Sequence, residues 1–457
     1  MNNQIVQDTN EEIKKELGTM IPINSLSTIS SQDFIEIYLS RFNKNSINNT
    51  HLGIASLHFL TGAILRHSKI WFGDEYIDMR VHPLCFQPSG SGKTPAYNFT
   101  YNIAVELELT VTKITKMTVA SAIGSFITED EKDDTGTYRQ VQKQRAGEFG
   151  KYQLIMFNEA TAALEDTELI RYICEVCDPI GRNHLVKSLA QSEDNIVTYP
   201  EASFFMITYL PRALINAIIL DSGIAPRCLM TCKDKSIEEK SVINREIINR
   251  MGQKLDRTHD YDVIIQMFRN IMDFFSEGIE FKFKEDAKEV LLKYEEEMKI
   301  SIRELPMDMH EHLTVFQTRY LLMCPRLAAH RAAFELRDII NVHDIKYAII
   351  ILRDTWDDLI EFAELKINIT STIKNELDRT TLLILADKKC INDDETILVS
   401  KLKKIVAEKG EVSLKSSLRS IKRLIDEKYI IEKDSEKDAR SKLCYLSDIG
   451  KKLIKHK

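Results

Sequence analysis

The chain of 457 residues has no long apolar run. Stretches such as Tyr347-Ala-Ile-Ile-Ile-Leu352 fall far short of the roughly 20 apolar residues that a bilayer-spanning helix needs. A secretory leader is missing too, because Met1-Asn-Asn-Gln-Ile-Val-Gln-Asp8 is polar where a signal would be apolar. Both lacks predict an intracellular, cytoplasmic protein with no membrane partner. The eight cysteines are scattered rather than set in a disulfide framework, which fits a reducing compartment. Two close pairs, Cys174/Cys177 and Cys228/Cys232, raise the question of zinc. Zinc knuckles set paired ligands in turns, whereas Tyr172–Cys177 reads as helix and Arg227–Cys232 as strand, so buried thiols are expected instead. His310 and His312 read as exposed helix residues.

An excess of positive charge is also missing, since the net charge is −7. The distribution is uneven, however. Residues 370–457 hold 21 Lys/Arg against 15 Asp/Glu, leaving 41 against 54 in the remainder. A basic C-terminal module on an acidic body points to localised phosphate contact. Length predicts two or three domains, because single cores stop growing near 250–300 residues.

Residues 86–97, Phe-Gln-Pro-Ser-Gly-Ser-Gly-Lys-Thr-Pro-Ala-Tyr, carry the most chemistry. Gly90, Ser91, Gly92, Lys93 and Thr94 supply most of a P-loop: backbone N–H groups wrap phosphates, the lysine reaches the β/γ-phosphates and the threonine hydroxyl holds Mg²⁺. The expected ligands are therefore ATP and Mg²⁺. Gln87 stands where the pattern wants its first glycine. A strand over 80–86 should run into the loop and a helix over 95–107 should leave it, with its N-terminus aimed at the phosphates. The apolar strand Gln153-Leu-Ile-Met-Phe-Asn-Glu159 ends in Asn158-Glu159 where an acidic pair is usual. Glu159 would orient the attacking water, and Asn158 can bond a metal-held water but brings no charge. Thr208, at the end of Ser203–Thr208, is placed to sense a γ-phosphate. Arg227, just before a strand, has the position of an arginine finger reaching a neighbouring subunit's nucleotide.

Strand candidates at 80–86, 111–117, 152–157, 203–208 and 228–232, separated by helical or loop segments, read as a parallel α/β sheet. The charged stretch from Glu129 onward reads as an insertion loop or hairpin, and from about 260 the pattern turns purely helical. The last 90 or so residues read as three helices (376–386, 397–406, 413–425) and two strands (429–433, 442–446), which is a winged helix. Its third helix carries Lys415, Arg419, Lys422 and Arg423, and its wing Lys437 and Arg440, all candidates for DNA contact. The domain division is 1–74, an N-terminal helical segment; 75–258, the α/β core; 259–367, a helical lid; and 368–457, the winged helix.

This order of parts resembles an AAA+ ATPase of the minichromosome maintenance (MCM) helicase type, and the related ATPase domains of phage and mobile-element replication proteins. Their Arg-x-His-Pro strand before a Ser-Gly-Ser-Gly-Lys-[Ser/Thr]-Pro loop is similar to Arg80–Pro95 here. Thr318–Ala333 is similar to the family's sensor-2 helices, with Arg319 and Arg326 as its two arginines, and Asn341–Ile350 resembles the segment that follows. The resemblance covers roughly residues 75–457. It implies a homo-oligomeric ring, a hexamer, with nucleotide sites between subunits. Lys93, Thr94 and Glu159 would then act in cis, Arg227 and Arg319 from the neighbour, and Arg326 at the nucleotide. A channel hairpin between the acidic and sensor strands would carry Arg182 and Lys187 onto DNA. Gln87, Asn158 and the lack of room for a large N-terminal DNA-binding domain favour a compact mobile-element or viral version. Its expected function is an ATP-driven DNA helicase or translocase, working with other replication proteins. The alternative is an ATP-switched origin-binding initiator or helicase loader with slow hydrolysis; a metabolic P-loop kinase explains neither the paired arginines nor the basic terminal module.

Overall fold

A computed structural model of the chain describes residues 31–46, 49–87, 90–132, 138–180, 185–188, 195–209, 223–232, 237–252, 259–305, 307–372, 376–390, 395–410, 412–435, 438–448 and 450–451. Five strands, β1 (Pro83–Phe86), β2 (Val111–Ile114), β3 (Leu154–Phe157), β4 (Ser203–Thr208) and β5 (Leu229–Cys232), form one sheet in the order β5-β1-β4-β3-β2. Every pairing in it is parallel. Parallel strands are covered on both faces and so need continuous apolar sequence; Pro83–Phe86, Leu154–Phe157 and Ser203–Thr208 are buried throughout. The first strand is shorter than expected, beginning at Pro83 rather than Arg80. Arg80 is taken up by a side-chain network described below. The second stops at Ile114, and Thr118 then caps a short helix by accepting from the Ser121 N–H.

Helices α1 (Ser31–Ser46) and α2 (Thr50–Ile64) pack into the same hydrophobic core as the sheet. Phe42 of α1 meets Phe99 of α3 (Lys93–Glu106) edge-on, with ring centroids 5.4 Å apart, and Phe34 meets Phe268 and Phe334 at 5.3 Å. Gly62 lets α2 lie directly on the chain leading into β1, since a Cβ there would stand 2.8 Å from the Met79 carbonyl oxygen. Helix α4 (Thr167–Val176) starts at an Asp166 cap whose side chain accepts from Leu169 N–H. It turns one apolar face, including Leu169, Tyr172, Ile173 and Val176, into the core.

The charged stretch after Gly124 is an antiparallel hairpin, Gly124–Lys132 with Tyr138–Ala146, and a second hairpin pairs Leu185–Ser188 with Asn195–Thr198. Beyond His259 the long helices Glu285–Glu304, α5 (Met307–Phe334) and α6 (Val342–Thr372) dominate. The region is not purely helical, because Lys282–Phe283 and Ile339–Ile340 form a two-strand parallel pair. The C-terminal residues build their own small core from Leu382, Leu402, Val406, Ile421, Leu424 and Cys444. There Glu376–Asp387, Val399–Lys409 and α7 (Leu414–Asp426) surround a three-stranded antiparallel sheet of Ile397–Leu398, Asp438–Leu446 and Ile430–Ser435. The helix expected from 397 therefore begins as strand, because Ile397 pairs with Cys444 before the chain turns at Val399. Among the described residues no helix is long and apolar enough to cross a membrane.

A buried polar chain joins three helices to the lead-in of β1. His330 Nε2 donates to the Met79 carbonyl (2.7 Å), which leaves His330 Nδ1 to accept from His58 Nδ1 (2.9 Å). His58 Nε2 in turn accepts from the Tyr347 hydroxyl (3.0 Å). Both rings are fully buried and neutral in this arrangement. Burial, with the neighbouring ring, holds His58 well below its ordinary value, and burial holds His330 down to about 3. The unfolded chain takes up protons below about pH 6.5 while the folded chain refuses them, so stability is full above that pH and falls below it. Each histidine should cost about 1.4 kcal/mol at pH 5.5. Urea unfolding should thus show a loss of ~3 kcal/mol between pH 7.5 and 5.5 from this pair; equal stabilities at the two pH values would contradict it.

Candidate functional site

Because the sheet is parallel, the carboxyl ends of β1, β3 and β4 lie together, and the Gly90–Thr94 loop leaves from the first of them. Gly90 and Gly92 have φ of +77° and +82°, a region in which L side chains are strained. At Gly92 a Cβ would also stand 2.2 Å from the Ser46 carbonyl oxygen. Gly92 is the N-cap of α3, with no side-chain cap and no acid in the first turn, so the helix's positive end is left for an anion. Thr94 is exposed and Ser91 fully buried. Lys93 begins α3 at half burial. Its ammonium lies 4.1 Å from the centroid of the Tyr209 ring, and burial lowers its pKa while Glu159 opposes the shift.

Gln87 is buried, not a loose turn residue. Its backbone N–H donates to the Thr208 carbonyl (3.0 Å), and its side-chain oxygen accepts from Asn49 Nδ2 (2.8 Å) and Ser91 Oγ (3.0 Å). Thr208 stands beside Phe86 in register, since β4 lies between β1 and β3. Its hydroxyl donates to Glu159 Oε1 (2.6 Å), and the Thr161 hydroxyl donates to the same oxygen (2.5 Å). Two hydroxyls thus hold the carboxylate that follows β3, close enough to Lys93 to act on its charge. Asn158, one residue earlier, is exposed.

The remaining arginines gather at the other end of the sheet. Arg227 ends a short 3-10 turn just before β5, whose Leu229 is in register with Pro83 at the start of β1. A four-residue strand, at about 3.3 Å per residue, therefore puts ~13 Å between Arg227 and the loop of the same chain. Asp178 Oδ1 accepts from Arg227 (3.3 Å) and stands 3.5 Å from Arg319 Nη1. Among the described residues, one carboxylate between two partly buried guanidiniums leaves one positive charge over. Burial works against Arg227's charge, but Asp178 together with the neighbouring Cys174 and Cys177 outweighs it, whereas burial and the neighbouring Arg227 lower Arg319.

Behind this pair Arg80 forms a bidentate bond to Asp78 (3.0 and 3.1 Å) and donates to the carbonyls of Ala202 and Asp178. Burial alone would raise the Asp78 pKa; Arg80 and Arg326 outweigh it and hold it at about 2. Arg326, expected at the nucleotide, is instead buried here, donating to the Asp78 carbonyl (2.8 Å).

Of the C-terminal cations, Lys415, Arg419, Lys422 and Arg423 are all exposed on α7, opposite its buried Ser417, Ser420, Ile421 and Leu424. Arg423 is bound by Asp378 (2.7 and 3.1 Å), so its charge is matched. Arg182 and Lys437 lie outside the described residues, and Lys187 and Arg440 are placed only by the backbone of their strands. The cysteines are free thiols, all buried except the half-buried Cys232. Among the described residues no three His, Cys, Asp or Glu side chains are grouped to hold a metal ion.

Sequence reasoning missed Asn49, Thr161, Asp178 and Tyr209. Thr161 had a local signal, two residues after Glu159; nothing in the sequence links Asn49 to Gln87 or Asp178 to Arg319. The two loop glycines should respond differently to substitution. Gly92→Ala must move backbone off Ser46 and should cost more than ~2 kcal/mol, while Gly90→Ala meets nothing within 4 Å and should cost only the ~1 kcal/mol of its left-handed backbone. Urea unfolding of both variants checks the difference. No protein-family model matches the chain and no curated protein matches it, so the reading of this site rests on its geometry.

Proposed function

We propose that this chain is an ATP-driven DNA helicase or translocase of a mobile or viral replication system, an AAA+ ATPase of the MCM type that works as a ring. The observation that carries the reading is the division of the site. The loop, Lys93, Thr208 and Glu159 share one end of the sheet, while Arg227 and Arg319 share the other, beyond reach of their own chain's loop. Such a division serves a reaction whose last component arrives from a neighbour.

The backbone N–H groups of Gly90–Thr94 and the end of α3 bind the phosphates, and Lys93 leaves the Tyr209 ring for the β/γ-phosphates. Mg²⁺ supplies charge neutralisation between the phosphates when bound. Thr94 fits it, because a cation held mainly by phosphates and water needs few protein ligands. Glu159 orients water, and the hydroxyls of Thr161 and Thr208 aim its carboxylate. Arg227 and Arg319 stabilise charge on the neighbour's γ-phosphate once released from Asp178. The C-terminal module acts as a winged helix with α7 as its DNA-reading helix; the exposed Lys415, Arg419 and Lys422 favour this. The Leu185–Thr198 hairpin, which carries Lys187, is the candidate DNA grip.

The uncharged Asn158 favours a second reading, an ATP-switched origin-binding initiator or loader with slow turnover. Strand displacement on a forked substrate separates the two, being present only for a helicase. DNA-stimulated ATPase should fall by at least ~100-fold in Lys93→Ala and Glu159→Gln. The division of the site has its own test. Lys93→Ala and Arg227→Ala should each be inactive alone, yet a mixture should regain activity where an intact loop faces an intact arginine. A mixture as dead as its components would rule out the shared site.

A further inference from the structure

Gln87 breaks the expected pattern, and the structure supplies its partner from 38 residues earlier in the chain. Asn49 stands at the turn between α1 and α2, as the residue before the first turn of α2. Its Nδ2 donates to both the Gln87 side-chain oxygen (2.8 Å) and the Ser91 carbonyl (2.9 Å), while its Oδ1 accepts from Gln87 Nε2 (2.8 Å). Ser91 Oγ completes the ring by donating to Gln87 Oε1 (3.0 Å). The Ser91 carbonyl can only accept, so the orientation of the Asn49 amide is determined, and with it that of Gln87. Asn49, Gln87 and Ser91 are 2%, 1% and 0% exposed, so water does not substitute for any of these bonds. Both ends of the Gln87 amide are bonded within this ring and the side chain is buried, so Gln87 is not presented as a phosphate ligand.

We propose that Asn49 is a positioning residue for the bound triphosphate. With Gln87 and Ser91 it forms an amide lock that holds the Gly90–Thr94 loop in its phosphate-binding shape. The proposal rests on the reading of that loop as a triphosphate site. The N-terminal helices then belong to the site rather than standing beside it: the α1–α2 junction grips the loop at Gln87 and Ser91 through Asn49, and backs Gly92 with the Ser46 carbonyl. The lock does not hold the helices in place, because Phe34, Tyr38 and Phe42 anchor α1 in the aromatic core independently. Its loss should therefore loosen the loop more than the fold. A loop that must be ordered on binding charges that ordering against affinity.

The test is titration of the full chain with a fluorescent ATP analogue, alongside thermal unfolding without nucleotide. Asn49→Asp sets a carboxylate against two acceptor oxygens and should raise Kd by ~10-fold or more. The loss should fall on Kd and KM rather than on the maximal rate. Ser91→Ala deletes one bond of the ring and should raise Kd about 3-fold, which keeps the test open if Asn49→Asp fails to fold. Once Gln87→Ala has removed the two Asn49–Gln87 bonds, Asn49→Ala should weaken binding by less than it does alone, because only its bond to the Ser91 carbonyl is left to lose. Wild-type binding that is lost in Lys93→Ala but unmoved by Asn49→Asp and Ser91→Ala overturns the lock alone. A wild-type chain that binds no triphosphate overturns the site reading, and the lock with it.

Discussion

Parallel strands buried on both faces leave only their ends for chemistry, and that constraint organises this protein. Insertion of Ser203–Thr208 between the strand entering the loop and the strand ending at Phe157 sets Thr208 against Glu159. The same parallel register sends Arg80 and Arg227 to the opposite end. One sheet thus separates the glycine loop from an arginine pair without any long-range device. The separation is the observation on which the proposed sharing of a site between copies rests.

Each end is stiffened by buried polar groups rather than by apolar packing alone. At the loop, reciprocal amides of Asn49 and Gln87 satisfy one another. At the far end, Asp78 takes the Arg80 guanidinium, the Arg80 N–H and the Ile180 N–H, while its carbonyl takes Arg326. Tyr76 donates to the Ile180 carbonyl nearby, so the Lys69–Asp78 hairpin, the segment after helix α4 and helix α5 meet around Asp78, the first two at its carboxylate and α5 at its main-chain carbonyl. A buried charge without such partners would be costly; fully bonded, it fixes geometry. Replacing Asp78 would strand Arg80, which has no exposed surface to retreat to.

Much of the sheet was legible because its strands are short apolar runs, and all five fall inside their expected ranges. Strand ends were less legible. Arg80 looks like strand sequence, yet its side chain bonds to Asp78 two residues back, and that local bond competes with the ladder. Ile397–Leu398 looks helical by pattern but is claimed by the edge of a strand 47 residues away. The family resemblance puts Arg326 at the nucleotide, whereas the turn of helix α5 delivers it to the Asp78 carbonyl.

The sequence by itself determined the chemistry available: a loop whose glycines accept left-handed backbone, a lysine and threonine after it, an acid at the end of an apolar strand, and a basic C-terminal module. Periodicity and glycine placement are local properties, so they can be read from neighbouring residues. Only the tertiary structure decided which groups meet. Asn49 with Gln87, Thr208 with Glu159, and Arg227 and Arg319 with Asp178 are joined across 38 to 141 positions of chain. Such contacts are set by strand order and helix packing, which no local pattern encodes.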